Sequence, residues 1–166
     1  TITKGRLLFT GTTVEENRPT VIKFSHRYSE DVHRVCAKHN CVPSIIGTTL
    51  LPSRWNMTVM ELIADPWVNI ADAYNTLRGR KFSIVREQLK ALLSILREGG
   101  FVHGDLRDTN ILVNTDTMII KVVDFEWAGK EGEAQYPAFL NVRSVHCPQD
   151  VQSRKLIKYE HDEEMI

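Results

Sequence analysis

Two polar segments that flank a short predicted β-hairpin limit the folds open to this chain more than any other pattern in it. The apolar runs 111–113 and 118–123, joined by a polar turn, predict two antiparallel strands. Asn110 directly precedes the first run and Asp124 directly follows the second, so strand pairing brings both side chains to one end of the hairpin. Asp105 comes five residues before Asn110, and we expect it to lie beside them.

The residue types at this end of the hairpin indicate phosphoryl chemistry. The amide oxygen of Asn110 and the carboxylate of Asp124 form a hard, oxygen-rich site that suits Mg²⁺, which also takes water and phosphate oxygens as ligands. A carboxylate beside a metal-bound triphosphate, here Asp105, can orient an acceptor hydroxyl and accept its proton. The pattern therefore predicts a phosphotransferase site, with Asp105 as the catalytic group and Asn110 and Asp124 as metal ligands.

The same two segments resemble motifs of a known superfamily. Residues 103–110, HGDLRDTN, resemble the catalytic loop of the protein-kinase-like superfamily, and residues 124–126, DFE, resemble its Asp-Phe-Gly metal motif. The His-Gly-Asp form looks closest to aminoglycoside and choline phosphotransferases and to fungal-type kinase-like domains. The resemblance implies an α+β, two-lobed kinase-like fold with a small antiparallel-sheet N-lobe, a reduced helical C-lobe, and ATP with Mg²⁺ in the cleft between them.

The resemblance also assigns charged residues around the expected nucleotide. The strand that carries Lys23 is similar to the one whose lysine contacts the α and β phosphates of ATP. Glu30 would be the helix acid that pairs with this lysine. Arg107, in the catalytic loop with Asp105 and Asn110, would offset negative charge near the transferred group.

The same resemblance predicts a hinge between the two lobes. Residues 58–63, TVMELI, look like the last N-lobe strand and the hinge of the superfamily. Backbone groups near Glu61 and Ile63 would then bind adenine. Because the lysine strand, hinge, catalytic loop and metal motif occur in the expected order, their combination is more specific than any one motif.

Hydrophobic periodicity supports this organisation. Before residue 64 it predicts four short strands and one helix, and we assign residues 1–63 to the N-lobe. Residues 64–166 form the predicted C-lobe, whose clearest element is a helix that a glycine pair ends. The predicted buried face of that helix has apolar residues three and four positions apart: Phe82, Val85, Leu89, Leu92 and Leu96.

Departures from the superfamily pattern favour a second interpretation. No Gly-x-Gly-x-x-Gly run precedes Lys23, so we expect either weak nucleotide binding or a glycine-rich strand encoded before Thr1. Glu126 stands where the family has glycine and brings a second carboxylate near the metal. About 30 residues follow Tyr136, which argues against a helical lobe that binds peptides. The alternative is a pseudokinase or interaction module that keeps the fold, with a protein partner and little or no catalysis.

The composition of the chain argues against some classes of binding partner. The chain of 166 residues has 21 Lys plus Arg against 21 Asp plus Glu, and this zero formal charge argues against nucleic-acid and membrane-surface binding. No apolar run approaches the roughly 20 residues that span a bilayer. Three cysteines fit a reducing compartment. We therefore expect a soluble, intracellular, cytoplasmic protein whose partners are ATP and an acceptor with a hydroxyl group, of a class that the sequence does not disclose.

One cluster suggests a different cofactor. His33, Cys36, His39 and Cys41 fall within nine residues and include the nitrogen and sulfur ligands that zinc prefers. Their spacing differs from that of paired zinc knuckles, and Cys36 also fits the apolar face of the first predicted helix as a buried thiol. A zinc-stabilised adaptor is therefore the least favoured alternative.

Overall fold

The N-terminal part of the chain folds into an antiparallel sheet with one helix. The computed structural model describes residues 7–74, 77–140, 148 and 150–166. The first elements are β1 (Leu7–Thr12), β2 (Pro19–Ser25), α1 (Glu30–Ala37), β3 (Ile45–Leu50) and β4 (Asn56–Glu61). The four strands form one sheet in the order β1-β2-β4-β3. The four strands and one helix that periodicity predicts before residue 64 are thus confirmed within the described residues.

The strand order places Lys23 inside the sheet. Strand β2 pairs with β1 on one side and with β4 on the other, so Lys23 lies between Leu8 of β1 and Thr58 of β4. Side chains two positions apart on a strand share a face, which puts Lys23 and Ser25 on the same side. Both are buried, and only 6% of Lys23 is exposed. A lysine that merely protected a sheet edge would be solvated, so this position needs another explanation.

Helix α1 buries one stripe of its surface. Val32, His33 and Cys36 are its buried residues, with the three- and four-residue spacing of an amphipathic helix. Its first turn carries Glu30 and Asp31, whose charges favour the positive end of the helix dipole. The side chain of Ser29, at the N-cap, makes no capping hydrogen bond. The buried stripe packs into the main hydrophobic core.

The long helix of the C-terminal part is α3 (Arg80–Glu98), which ends at Gly99. Val85, Leu89, Leu92 and Leu96 form its buried face, as predicted. The prediction that Phe82 belongs to this face is wrong, because 51% of Phe82 is exposed. Residues 80–84 are all exposed, so the first turn of the helix lies before the segment that packs on the core.

The predicted hairpin is confirmed, and it belongs to a small second sheet. Strands β7 (Ile111–Asn114) and β8 (Ile120–Val122) pair as expected, and β5 (Trp67–Asn69), which periodicity does not predict, adds to β7. The remaining elements are α2 (Ile70–Ala73), β6 (Phe101–Val102), a 3-10 turn (Asp108–Asn110), β9 (Gly129–Lys130) and α4 (Tyr159–Glu164). Strands β6 and β9 pair with each other.

One large hydrophobic cluster joins the helices to the second sheet. Val32 and Cys36 of α1, Leu92 of α3 and Val113 of β7 are among its buried members. Burial of this apolar surface is the main force that holds the elements together. The division of the chain after residue 63 stays a prediction. None of the helices that the structure describes combines the length and the apolar character needed to cross a lipid bilayer.

Candidate active site

Lys23 is the centre of a buried charge cluster. Its Nζ lies 2.6 Å from Asp124 Oδ1 and 2.7 Å from Glu126 Oε1, and 7% of its side chain is exposed. A buried ammonium is costly unless it is paired and hydrogen-bonded, and two carboxylates meet that requirement here. The sheet thereby brings together residues 101 positions apart in sequence.

Asp105 lies in a second, adjoining set of polar contacts. Arg107 Nη2 donates a hydrogen bond to Asp105 Oδ2 at 2.6 Å, and Arg107 Nε lies 2.6 Å from Oδ1. Asn110 Nδ2 donates to the same Oδ2 at 2.8 Å and to the backbone carbonyl of Asp105 at 3.0 Å. Burial raises the pKa of Asp105, and the Arg107 guanidinium acts in the opposite direction. The 3-10 turn at Asn110 makes these contacts possible because it folds the loop back on itself.

Asn110 has one side-chain atom without a partner. Its Oδ1 is buried and accepts no hydrogen bond from any residue that the structure describes. Such an orphaned oxygen is costly in a protein interior and is often explained by an unseen ion or water. Together with the carboxylate of Asp124, it forms the kind of hard oxygen donor set that Mg²⁺ accepts. The residues present therefore fit a magnesium ion.

The loop after β8 holds Asp124 in an unusual conformation. Asp124 has a positive φ of 74°, which non-glycine residues rarely adopt. Phe125 is fully buried, stacks on His33 with ring centroids 4.6 Å apart, and meets the edge of His103 at 4.8 Å. The backbone N–H of Ser29 also donates to the Phe125 carbonyl at 3.0 Å. This packing stabilises the strained residue beside it.

Helix α4 is hydrogen-bonded to the loop that carries Asp105. The carboxylate of Asp162 accepts hydrogen bonds from the backbone N–H groups of His103 at 2.6 Å and Gly104 at 2.7 Å. Asp162 is 1% exposed, and burial raises its pKa to about 7 although both amide bonds favour its charged form. Sequence reasoning missed this residue. Its only signal is the four-residue spacing of Ile157 and His161, both buried, just before it.

Two cavities meet at Lys23 and Asp124. The larger, of about 460 Å³, also contains Asp105, Arg107 and Glu126 together with the aromatic rings of Trp55 and Trp127. The smaller, of about 160 Å³, is mainly apolar. Its walls are formed by Leu8, Val21, Lys23, Pro43, Met60, Glu61, Ile63, Leu112, Val123 and Asp124.

The structure thus brings most of the sequence-predicted site residues to one place. Lys23, Asp105, Arg107 and Asp124 line the larger cavity. Asn110 is hydrogen-bonded to Asp105. Glu61 and Ile63 line the smaller cavity, which also contains Lys23 and Asp124.

Glu61 and Ile63 differ in their backbone bonding. The Glu61 N–H donates to the Ser44 carbonyl at 3.0 Å, whereas the Ile63 N–H donates to no acceptor among the described residues. The Glu61 side chain forms an ion pair with Lys121. Burial acts to raise the pKa of Glu61, but the Lys121 ammonium holds it below its usual value. The Glu61 carboxylate is therefore paired with Lys121, and only the backbone of Glu61 is left for the expected contact with the nucleotide.

The expected ion pair between Glu30 and Lys23 is wrong for this structure. Glu30 Oε1 lies 2.6 Å from Arg34 Nε, and its other oxygen accepts a hydrogen bond from Thr48 on β3. These two contacts lower the pKa of Glu30, with the Thr48 hydroxyl as the larger cause. The reason is positional, because Glu30 opens helix α1 beside β3. Glu126 occupies the place beside Lys23 instead.

The zinc alternative finds no support in the described residues. Neither ring nitrogen of His33 is open to a metal: Nδ1 is hydrogen-bonded to the Tyr28 hydroxyl, and Nε2 lies 2.6 Å from the Pro43 carbonyl. Cys41 Sγ donates to the Cys36 carbonyl at 3.1 Å. No group of three or more His, Cys, Asp or Glu residues with metal-binding geometry occurs in the part of the chain that the structure describes.

Comparisons with known proteins find viral protein kinases that resemble part of this chain. Serine/threonine-protein kinase 1 of African swine fever virus (isolate Tick/Malawi/Lil 20-1/1983) is 38% identical over 64 residues, which are 37% of this chain and 21% of that kinase. The same kinase from isolate Pig/Kenya/KEN-50/1950 is 36% identical over 64 residues, again 21% of its length. The aligned segment thus spans about a fifth of these relatives.

A solved structure and a family model extend the similarity to most of the chain. The Cydia pomonella granulovirus kinase PK-1 superposes with a TM-score of 0.63 at 15% identity, covering 84% of this chain and 53% of that one. This similarity confirms the α+β kinase-like fold with a small antiparallel N-lobe. Residues 12–160 match the model of the RIO domain. The chain therefore belongs to the RIO domain family, within the protein-kinase-like superfamily.

Proposed function

We propose that this domain is an ATP-dependent phosphotransferase that moves the γ-phosphate of ATP to a hydroxyl group. The main support is the meeting of two unlike cavities at Lys23 and Asp124. One is narrow and mainly apolar, as a purine requires. The other is wider and contains Asp105 and Arg107, as a phosphoryl group and its acceptor require.

The smaller cavity is the proposed adenine site. Leu8 and Val21 from the N-terminal sheet and Leu112 from β7 provide apolar walls. The N–H of Ile63, at the proposed hinge, donates to no acceptor in the part of the chain that the structure describes, and it is the proposed donor for a ring nitrogen. The carbonyl of Glu61 is the proposed acceptor. Lys23, at the inner end, would then contact the α and β phosphates.

We propose that Asn110 and Asp124 would bind magnesium. Asn110 would contribute its orphaned Oδ1 and Asp124 a carboxylate oxygen. When bound, the ion would neutralise charge on the phosphate oxygens. Lys23, whose Nζ lies 2.6 Å from Asp124 Oδ1, would add a second positive charge.

Asp105 is the proposed catalytic residue. Its carboxylate would orient the acceptor hydroxyl and accept its proton, and the raised pKa that burial causes makes it a better base. Arg107 would hold the carboxylate in position and offset the charge that builds up nearby. In this assignment Asn110 would fix Asp105 through Nδ2 and would hold the metal through Oδ1.

The substitution Asp105→Asn tests the proposal. We expect turnover, measured as transfer from radiolabelled ATP to the protein itself and as ATP hydrolysis, to fall by about 100-fold or more. Binding of MgATP should persist, giving a stabilisation of about 2.7 kcal/mol at 100 times its Kd. Asp108→Asn is the matched control, because Asp108 lies in the same loop and is exposed. Unchanged turnover in Asp105→Asn would refute the catalytic assignment.

A pseudokinase is the second candidate, and the contacts of two cationic side chains favour it. Arg107 engages both carboxylate oxygens of Asp105, and Lys23 is already paired with two acids, so the catalytic groups neutralise each other. The turn between β1 and β2, residues 13–18, contains no glycine. If wild-type protein shows neither turnover nor stabilisation by MgATP, this candidate replaces the enzyme, and a protein partner becomes the expected ligand.

The acceptor class is a further part of the proposal. The resemblance of residues 103–110 to fungal-type kinase-like domains and to aminoglycoside and choline phosphotransferases favours a hydroxyl on a small molecule. Serine and threonine hydroxyls of a protein are the competing class, because the viral relatives are named serine/threonine-protein kinases. We propose that it has no nucleic-acid or membrane partner, on the basis of its zero formal charge. We propose a cytoplasmic location because three cysteines fit a reducing compartment.

A further inference from the structure

We propose that Glu126 is the positioning residue for Lys23, and that Glu30 and helix α1 do not hold this lysine. The inference rests on the proposed function, because it concerns how the phosphate-binding cation is kept in place. It assigns a role to the carboxylate that replaces glycine in the metal motif. Its basis is the set of contacts on either side of Lys23.

The first step is the geometry of the lysine. Its Nζ lies 2.7 Å from Glu126 Oε1 and 2.6 Å from Asp124 Oδ1, both within the range of charge-assisted hydrogen bonds. The contact with Asp124 is a hydrogen bond and the contact with Glu126 is an ion pair. A lysine ammonium has three N–H groups, so these two contacts leave at least one for a phosphate oxygen. Both acids belong to the loop that follows β8. The loop that would hold the metal therefore also holds the lysine.

The second step is that Glu30 is committed elsewhere. Its carboxylate bonds to Arg34 on its own helix and to Thr48 on β3. One turn further along α1, the buried ring of His33 stacks on Phe125. The α1 side chain that contacts Phe125, in the loop after β8, is thus the ring of His33 and not the carboxylate of Glu30.

The third step is a separation of tasks between the two acids. If Asp124 turns its carboxylate to a metal, it gives up part of its contact with Lys23. Glu126 can keep the lysine in place at that moment, because its carboxylate contacts the same ammonium. The Glu126 side chain is 36% exposed. This exposure makes the Lys23–Glu126 ion pair weaker than a fully buried one. The Lys23 side chain, however, is only 7% exposed, so little water is available to replace Glu126 as its partner.

The experiment compares Glu126→Gln with Glu30→Gln in the full chain. The first readout needs no nucleotide: the NMR signal of the Lys23 ε-methylene group, identified by its loss in Lys23→Met. The second readout is the affinity for MgATP from a thermal-shift titration. Glu126→Asp tests rescue by a shorter carboxylate, and Glu131→Gln, at an exposed position of the same segment, is the control.

We expect Glu126→Gln to move the Lys23 signal and to weaken MgATP binding about tenfold, as loss of one charge-assisted hydrogen bond would. Glu126→Asp should restore part of both, and Glu30→Gln and Glu131→Gln should change neither. An unmoved Lys23 signal in Glu126→Gln, or an equal or larger effect of Glu30→Gln, would overturn the inference. If wild-type protein does not bind MgATP, the proposed function fails, and the Lys23 signal alone still decides which acid holds the lysine.

Discussion

His103 shows how burial sets the charge state of a single residue in this site. The ring is fully buried, and its Nδ1 accepts a hydrogen bond from the Asp105 N–H at 3.2 Å, so the ring is neutral in this arrangement. Burial lowers the pKa of His103 to about 4, although the charge of Asp124 acts to raise it. A proton on Nδ1 would also remove the acceptor of the Asp105 amide. His103 therefore ties the position of Asp105 to pH.

The first prediction concerns this histidine. A histidine in the unfolded chain has a pKa near 6.5, and the folded value is lower, so its contribution to stability is complete above about pH 6.5 and is lost as the pH falls toward 4. We expect the difference in unfolding free energy between wild type and His103→Gln to shrink by about 3 kcal/mol over this range. Urea unfolding at several pH values measures it.

The comparison removes the effect of other groups. Asp162, whose raised pKa gives a pH dependence of opposite sign, is present in both proteins and cancels. A difference that stays constant from pH 7 to pH 4 would show that His103 is not held neutral by burial. NMR of the imidazole signals gives an independent readout if the variant unfolds too easily.

Among the secondary-structure elements, helix α4 holds the loop that carries Asp105 through one carboxylate, that of Asp162. It has only six residues, too few to be stable alone, and the buried side chains His161 and Asp162 attach it to the rest of the protein. The Tyr136 hydroxyl lies 3.1 Å from His161 Nδ1, and Asp162 accepts hydrogen bonds from the backbone N–H groups of His103 and Gly104. The last segment of the chain thereby supports the loop that carries Asp105.

Removal of the Asp162 carboxylate should destabilise the protein. Asp162→Ala leaves two buried N–H groups without acceptors, and we expect a loss of about 2–5 kcal/mol in unfolding free energy. Turnover should fall as well, because the loop loses its support. Glu160→Gln, an exposed position of the same helix, is the control and should stay within about 0.5 kcal/mol of wild type. Equal stabilities of the two variants would contradict the role of α4.

Elements with strong periodicity were predictable from sequence, and short ones were not. The buried face of α3 follows from apolar residues three and four positions apart, and the pairing of β7 with β8 follows from two apolar runs around a polar turn. Strand β5 has three residues and exists because β7 offers it a partner. Helix α4 has an acidic sequence that looks solvated, and only its contact with the catalytic loop explains why Asp162 is buried.

At the scale of the whole molecule, motifs located the site but did not determine its pairings. Lys23, Asp105, Asn110 and Asp124 could be named from local sequence because each belongs to a short ordered pattern. The partner of Lys23 could not, since it depends on where α1 begins relative to β3 and on how the loop after β8 turns. The result is an active-site candidate in which Glu126 replaces Glu30 beside the lysine.

The central claim is that the two cavities joined at Lys23 and Asp124 form one nucleotide site. Calorimetric titration of the wild-type protein and of Lys23→Met with MgATP tests it most directly. We expect one site in the wild type and an affinity at least about tenfold weaker in Lys23→Met, because the variant loses a charged contact to the phosphates. No binding by the wild type, or equal affinity in both proteins, would contradict it.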